Sequence, residues 1–242
     1  MENFIEVDGG KLWTCMNGKT DGRAILLCNG GPGCCDYLAP VSEMLEREYC
    51  VIRFEQRGCG RSVCDGKYDL ETTVQDMEGI REFYHLSSWI VGGHSWGANL
   101  ALVYALKNPE HVDSILYIAG NGIHNDRHWS EEYHNNKDKY GEITCDMDYS
   151  FNNDVNILGN ATLRAFGRTP DFYKRLSVLA INTLFVMAEH DIRPSWAVEQ
   201  LYHIMPRAEY VVIPNAAHYI WLFNSEELKA ALLTFIKNDT ES

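Results

Sequence analysis

Three features are scarce in this sequence: long apolar runs, an excess of basic residues and paired cysteine motifs. No run reaches the about 18 apolar residues of a membrane-spanning helix, so the sequence predicts no membrane span. Lys and Arg number 21 against 34 Asp and Glu, which gives a formal net charge of −13. That balance argues against binding to nucleic acid or to an anionic membrane, because both need a basic protein surface.

The eight cysteines form no C-x-x-C pair and no paired metal-ligand spacing, and several lie inside apolar runs. We therefore expect free thiols in a reducing cytoplasm. The opening residues MENFIEVDGG have no basic start followed by an apolar stretch, so no signal peptide is expected. His124 and His128 lack a third ligand, and the glycines at 30, 31 and 33 do not form G-x-G-x-x-G before a helix. No metal and no cofactor are therefore expected.

Short apolar runs alternate with helical patterns along the 242 residues, which suit one domain. The predicted strands are Phe4–Val7, Leu12–Cys15, Ala24–Cys28, Cys50–Phe54, Trp89–Gly92, Ser114–Ala119, Thr183–Ala188 and Glu209–Ile213. The predicted helices are Leu38–Glu48, Glu71–Tyr84, Trp96–Leu106, Trp196–Ile204 and Ser225–Lys237. Most strands are continuous apolar runs, which is typical of parallel strands covered on both faces. The alternation favours an α/β fold with a mostly parallel sheet.

The alternation stops between about Gly120 and Phe172, where polar and acidic residues dominate and no buried strand is evident. A loop of that length without secondary structure is uncommon inside a compact domain. We predict a small helical cap or lid over residues 120–172, inserted after the sixth strand. Residues 1–119 and 173–242 would then form the core.

The motif Gly93-His-Ser95-Trp-Gly97 lies between a predicted strand and a predicted helix. This is the required context of the G-x-S-x-G turn, which exposes a nucleophilic serine at the carboxyl end of a strand. Glycine is needed because the turn leaves no room for a Cβ atom. Ser95 is therefore the predicted nucleophile, and the Trp96 amide at the helix N-terminus would stabilise the developing negative charge.

A serine nucleophile needs a base and an orienting acid, which come later in the chain in this class of fold. Asp191 and His218 each follow a predicted strand, on the same side of the sheet as Ser95. We predict His218 as the base and Asp191 as the acid that holds its ring. Glu189 is expected to point elsewhere, and His94 and His190 are expected to pack at the rim of the site.

The glycine-rich segment 29–33 follows a predicted strand, and a backbone amide there can approach a substrate carbonyl closely. Gly31 is the best candidate for the second donor of the oxyanion hole. Cys34 and Cys35 follow directly and are expected to line the pocket rather than to act as nucleophiles.

At these residues the sequence resembles the proline iminopeptidase branch of the α/β-hydrolase superfamily. The segment Asn29-Gly-Gly-Pro-Gly33 resembles that family's HGGPG loop, and Gly93-His-Ser-Trp-Gly-Ala98 resembles its G-x-SWG elbow. Glu55-Gln-Arg-Gly-Cys-Gly-Arg-Ser62 resembles its DQRGxGxS loop. The resemblance implies the α/β-hydrolase fold, with a mostly parallel eight-stranded sheet flanked by helices. It also implies a serine hydrolase that needs no cofactor and acts through an acyl-enzyme.

Asn29 replaces the family's histidine and Glu55 its aspartate, and the resemblance does not extend to the cap. Iminopeptidases carry a longer cap whose acidic residues bind the free amine of the substrate. The acids that could do so here are Glu131, Glu132, Glu142, Asp146 and Asp148. Three interpretations stay open: an aminopeptidase acting on short peptides, a carboxylesterase or lactonase acting on small molecules, and a weakly catalytic signal-binding protein.

Overall fold

The computed structural model describes residues 1–64, 66–123 and 126–240, so His124 of the histidine pair lies outside the described residues. Within these ranges the strands are β1 Glu2–Val7, β2 Gly10–Gly18, β3 Ala24–Cys28, β4 Cys50–Phe54, β5 Val63–Cys64, β6 Trp89–His94, β7 Val112–Ile118, β8 Asn182–Ala188 and β9 Ala208–Ile213. The α-helices are α1 Ala39–Leu45, α2 Leu70–Phe83, α3 Trp96–Lys107, α4 Arg127–Tyr140, α5 Asn153–Gly167, α6 Phe172–Ser177, α7 Trp196–Ile204 and α8 Ser225–Thr240.

The described strands form one sheet in the order β1-β2-β4-β3-β6-β7-β8-β9, with the two-residue β5 paired to β2. From β4 to β9 along this path all neighbours are parallel, whereas β1, β2 and β5 form antiparallel pairs. All eight predicted strands are present, and the short β5 is an addition to them. The predicted hairpin is also present, since Val7 pairs with Gly10 across the two-residue turn Asp8–Gly9.

The central strands β3, β4 and β6 are buried on both faces, as their continuous apolar runs predicted. In β3, Leu26 belongs to the hydrophobic cluster that includes α2 and α3, whereas Ile25 and Leu27 belong to the cluster that includes α1 and α8. This alternation follows the two-residue period of a strand. Because the central strands are parallel, their carboxyl ends share one edge, and the loops that carry the candidate residues follow those ends.

Between β7 and β8 the chain leaves the sheet for three helices, α4, α5 and the short α6, with an irregular segment from Gly141 to Asn152. We refer to residues 120–172 as the proposed cap. Asp126 and Asn152 begin α4 and α5 by accepting hydrogen bonds from backbone amides of the first turn, Asp126 at 3.0 Å from the Trp129 nitrogen. In the part of the chain that the structure describes, no helix is long and apolar enough to cross a membrane.

Candidate active site

Ser95 occupies the turn between the end of β6 and the start of α3. Its φ of 59° lies in the left-handed region that few non-glycine residues adopt. A Cβ atom at Gly93 would collide with the Gly97 carbonyl, and one at Gly97 would collide with the Cys28 carbonyl. The Ser95 amide donates to the Ile118 carbonyl at 3.0 Å, which ties the turn to the end of β7. The turn therefore has the strained shape that presents a serine above the sheet.

His218 and Asp191 form a buried hydrogen-bonded pair beyond the ends of β9 and β8. The distance from His218 Nδ1 to Asp191 Oδ2 is 2.7 Å, and the Asp191 side chain is 2% exposed. The carboxylate accepts from Nδ1, so the neutral ring keeps its lone pair on Nε2. The His218 ring packs against the ring of His94, the residue before Ser95, with 4.4 Å between the centroids.

Glu189 points elsewhere, as predicted. Its carboxylate accepts from the Asn215 amide at 2.8 Å, which closes the loop that carries His218. His190 is partly exposed and packs against Tyr140, in agreement with its predicted place at the rim.

Arg193 is a cation at the site that no sequence motif indicated. Its guanidinium lies 3.2 Å from Asp191 Oδ1, and its backbone amide donates to the same oxygen at 3.0 Å. Burial alone would raise the pKa of Asp191, but the charges of His218 and Arg193 outweigh it and hold that pKa well below its ordinary value. Burial and then the charge of Arg193 lower the pKa of His218, against the opposing effect of Asp191. His218 is therefore neutral at neutral pH, the form in which it can act as a base.

The sequence analysis placed His94 at the rim of the site, and the structure corrects this. His94 is fully buried and belongs to a series of hydrogen bonds. The Gly30 amide donates to the Tyr37 hydroxyl oxygen at 2.7 Å, and that oxygen lies 2.8 Å from His94 Nδ1. His94 Nε2 lies 2.9 Å from the His218 carbonyl oxygen. A carbonyl can only accept, so Nε2 carries the proton and Nδ1 accepts from Tyr37. Burial lowers the pKa of His94 well below its ordinary value, which keeps this neutral arrangement in place.

The series of hydrogen bonds from Gly30 through Tyr37 and His94 to His218 joins three loops of the site. One loop follows β3, one holds Ser95 and one holds His218. Tyr37 lies two residues before the start of α1, and nothing in the spacing of the sequence places it beside Ser95. Only the packed sheet brings it there.

The two amides predicted for the oxyanion hole belong to Gly31, in the loop after β3, and to Trp96, at the start of α3. The Gly30 amide is used by Tyr37, whereas Gly31 is exposed with a φ of +120°. A Cβ atom on Gly31 would lie 2.8 Å from Cys34 Sγ, so the loop requires glycine there. Trp96 is the first residue of α3, where a backbone amide has no acceptor within the helix. Gly31 and Trp96 remain the predicted donors.

Asn29 and Glu55, the two residues that depart from the family pattern, both form hydrogen bonds with neighbouring loops. Asn29 Nδ2 donates to the carbonyls of Cys34 and Cys35, at 2.9 and 3.2 Å. The fully buried Glu55 accepts from the Asp36 amide at 3.0 Å and forms an ion pair with Arg61. Both replacements therefore stabilise the loops around the site.

Cys34 and Cys35, which were predicted to line the pocket, are both buried. Burial raises the pKa of Cys34 to about 12, so it stays protonated near neutral pH. All eight cysteines are free, which agrees with the sequence prediction. The described residues contain no group of three or more His, Cys, Asp or Glu side chains that could hold a metal ion.

The acids of the proposed cap are mostly engaged elsewhere. Glu131 pairs with Arg127 on the surface, and Glu132 accepts from the indole of Trp196 at 2.9 Å. Asp146 and Asp148 are exposed, as is Glu142. These five positions therefore do not converge on one buried ammonium site.

Glu142 differs from the other four acids because its charge acts on His218. It forms an ion pair with Lys137 and accepts from the Tyr133 hydroxyl at 3.2 Å. The bond from Lys137 lowers the pKa of Glu142, and the Arg193 charge adds to that effect. The Glu142 charge in turn raises the pKa of His218 slightly against burial.

Comparison with known proteins identifies the architecture. Residues 23–142 match the family model described as the alpha/beta hydrolase fold. A putative proline iminopeptidase of Mycoplasma genitalium is 32% identical over 141 residues, which are 54% of this chain and 44% of that protein. A proline iminopeptidase of Arabidopsis thaliana is 34% identical over 119 residues, 47% of this chain and 31% of that one. The chain thus spans less than half the length of these relatives, and the resemblance predicted from the glycine loops is confirmed.

Solved structures extend the likeness of fold to the whole chain. A thermophilic esterase from Thermogutta terrifontis superimposes with a TM-score of 0.79 and 19% identity, covering 99% of both chains. A proline iminopeptidase from Mycobacterium smegmatis superimposes with a TM-score of 0.76 and 17% identity, covering 99% of this chain and 98% of that one. At these identities the likeness describes the fold alone.

Proposed function

Because the chain has the α/β-hydrolase fold, we propose that it is a serine hydrolase whose catalytic triad is Ser95, His218 and Asp191. One observation carries the proposal. The His218–Asp191 pair, joined at 2.7 Å, packs beside a strained serine turn at the carboxyl edge of the sheet. An orienting acid, a neutral base and an accessible nucleophile are the parts that acyl transfer requires, and Ser95 is partly exposed.

The reaction would proceed through an acyl-enzyme. His218 Nε2 takes the proton of Ser95 as Oγ attacks the substrate carbonyl, and Asp191 stabilises the imidazolium that forms. The amides of Gly31 and Trp96 stabilise the negative charge on the former carbonyl oxygen. His218 then protonates the leaving group. Water then attacks the acyl-enzyme carbonyl as His218 takes its proton, and the bond from Ser95 Oγ to the acyl group breaks as His218 returns that proton to Oγ.

The charges around the triad favour a small ester or lactone as the substrate. Arg193 lies against Asp191, and its positive charge opposes a substrate ammonium near His218. The acids that could attract such an ammonium are paired or exposed at the surface. A neutral or anionic acyl substrate is not repelled by Arg193 and needs no acidic partner in the site.

An aminopeptidase of the proline iminopeptidase type is the second candidate, and Glu142 favours it. This carboxylate is one of the five candidate acids, and its charge acts on His218. The two relatives named above, to which this chain is similar in sequence, are a putative proline iminopeptidase and a proline iminopeptidase. In this alternative, the substrate amine would take the place of Lys137 as the ion partner of Glu142.

A side-by-side assay with short-chain nitrophenyl esters and proline nitroanilide distinguishes the two candidates. Ester turnover well above anilide turnover supports the first, and the reverse result supports the second. A fluorophosphonate probe should label the wild-type protein at Ser95. Ser95→Ala should abolish both labelling and turnover, whereas Ser177→Ala, at an exposed helix end, should change neither. Labelling that persists in Ser95→Ala would refute the proposed nucleophile.

A further inference from the structure

Helix α5 of the proposed cap is bonded to the loop that carries the predicted oxyanion donor. Asn156 Nδ2 donates to the Gly31 carbonyl at 2.7 Å and to the Pro32 carbonyl at 2.9 Å. A side-chain amide has two hydrogens, so one group can satisfy both carbonyls at once. Asn156 therefore restrains two successive peptide groups of a glycine-rich loop.

The start of α5 reinforces this attachment. The Asn152 amide donates to the Gly33 carbonyl at 2.9 Å, and its side-chain nitrogen donates to the Gly58 carbonyl at 2.8 Å. The oxygen of the same side chain accepts from the Asp154 amide at 3.0 Å and begins the helix. The first turn of α5 is thus fixed to the glycine-rich segment 29–33 and to the loop that holds Gly58.

Gly159 brings the same helix against both halves of the oxyanion hole. A Cβ atom there would lie 2.7 Å from Pro32 Cγ and 3.4 Å from Trp96 Cζ2. Asn152, Asn156 and Gly159 are spaced by four and three residues, so they share one face of the helix. That face contacts the Gly31 loop and the Trp96 indole together.

We propose that Asn156 and Gly159 are positioning residues that hold the Gly31 loop and Trp96 in the arrangement of an oxyanion hole. The inference rests on the proposed hydrolase function. Gly31 has the conformational freedom of glycine, and its amide belongs to the peptide group that precedes it. Asn156 holds the two peptide groups that follow Gly31, so its bonds restrict the backbone rotation at Gly31 that would turn the amide away from the oxyanion. Preorganised donors of this kind stabilise the transition state because they need no reorientation during the reaction.

Asn156→Asp tests the bonds with little change in shape. A carboxylate cannot donate, and its charge would face two carbonyl oxygens. We expect kcat to fall about 10- to 100-fold, as for a small misplacement of catalytic groups, with little change in KM. Asn156→Gln keeps a donor and should recover part of the loss. Asn160→Asp is the matched control, since Asn160 Nδ2 donates to the Asn156 carbonyl within the helix.

Gly159→Ala tests the close packing separately. The added methyl group would lie 2.7 Å from Pro32 Cγ and 3.2 Å from Pro32 Cβ, so α5 and the Pro32 ring must move apart and kcat should fall. Gly79→Ala is the matched control, because it is also on a helix and a Cβ atom there would meet nothing within 4 Å. Alanine is the better helix former at both positions, so a lower kcat in Gly159→Ala alone points to the displaced loop.

A trifluoromethyl ketone, which forms a tetrahedral adduct with a serine nucleophile, supplies a readout that a structural role would not change. Its affinity should fall in Asn156→Asp and Gly159→Ala in proportion to kcat, while the thermal midpoint stays near that of the control variants. Unchanged kcat, equal losses in test and control variants, or losses that follow the thermal midpoint would each overturn the inference. A wild-type protein that neither turns over esters nor reacts with fluorophosphonate would overturn the proposed function as well.

Discussion

Removal of the Tyr37 hydroxyl should weaken both the fold and the catalytic site. In Tyr37→Phe the Gly30 amide loses its acceptor and His94 Nδ1 loses its donor. His94 cannot compensate by moving its proton to Nδ1, because Nε2 must then face the His218 carbonyl without a hydrogen. The Gly30 amide and His94 Nδ1, both buried, are therefore left without hydrogen-bond partners.

Each unsatisfied buried group costs about 1–3 kcal/mol, so the free energy of unfolding should fall by about 2–6 kcal/mol. Urea unfolding followed by fluorescence or circular dichroism measures that change. Activity should fall beyond the loss of folded protein, because Gly30 precedes the predicted oxyanion donor and His94 precedes Ser95. We expect a decrease of about 10- to 100-fold in kcat, measured under conditions in which the variant is folded.

Tyr49→Phe provides the matched control. Tyr49 is buried in the same hydrophobic cluster, but its hydroxyl makes no hydrogen bond that the described residues show. Its removal should change the free energy of unfolding by less than the Tyr37 substitution and leave kcat unchanged. Equal losses in the two variants would refute the argument, since they would show that the series of hydrogen bonds contributes nothing beyond ordinary packing.

The remaining predictions concern pH, the oxyanion loop and the cap. Burial and Arg193 lower the pKa of His218, so the acidic limb of kcat/KM should lie below the about 6.5 of free histidine. Arg193→Gln should move that limb to higher pH and Arg193→Lys should not; identical profiles would exclude the charge effect. Gly31→Val should reduce kcat by about 10²–10³-fold, with a strain cost of only about 1–3 kcal/mol in unfolding experiments. Matching losses of activity and folding would make the loop structural. Glu142→Gln should raise KM for proline nitroanilide and leave nitrophenyl esters unaffected if the aminopeptidase alternative holds; equal effects would count against it.

Much of the fold was determined by local sequence. Continuous apolar runs such as Ala24–Cys28 are buried on both faces wherever they pair, so they predicted parallel strands without any knowledge of their neighbours. The Ser95 turn was indicated by its local motif, and Gly93 is required by the turn itself, whereas Gly97 is required by the close approach of the Cys28 carbonyl at the end of β3. Asp191 and His218 were predicted because each follows a strand, and the carboxyl ends of parallel strands share one edge.

The tertiary structure alone decided the contacts between residues that are far apart in the sequence. Tyr37 lies 57 residues before His94, and their hydrogen bond arises only because β3 and β6 are neighbours in the sheet. Asn156 lies 125 residues after Gly31, and no motif in the sequence indicated that the two would be in contact. His94 was placed at the rim because a histidine before the nucleophile has no local marker of burial. Periodicity and turn chemistry act within one element, whereas these partners are chosen by how separate elements pack.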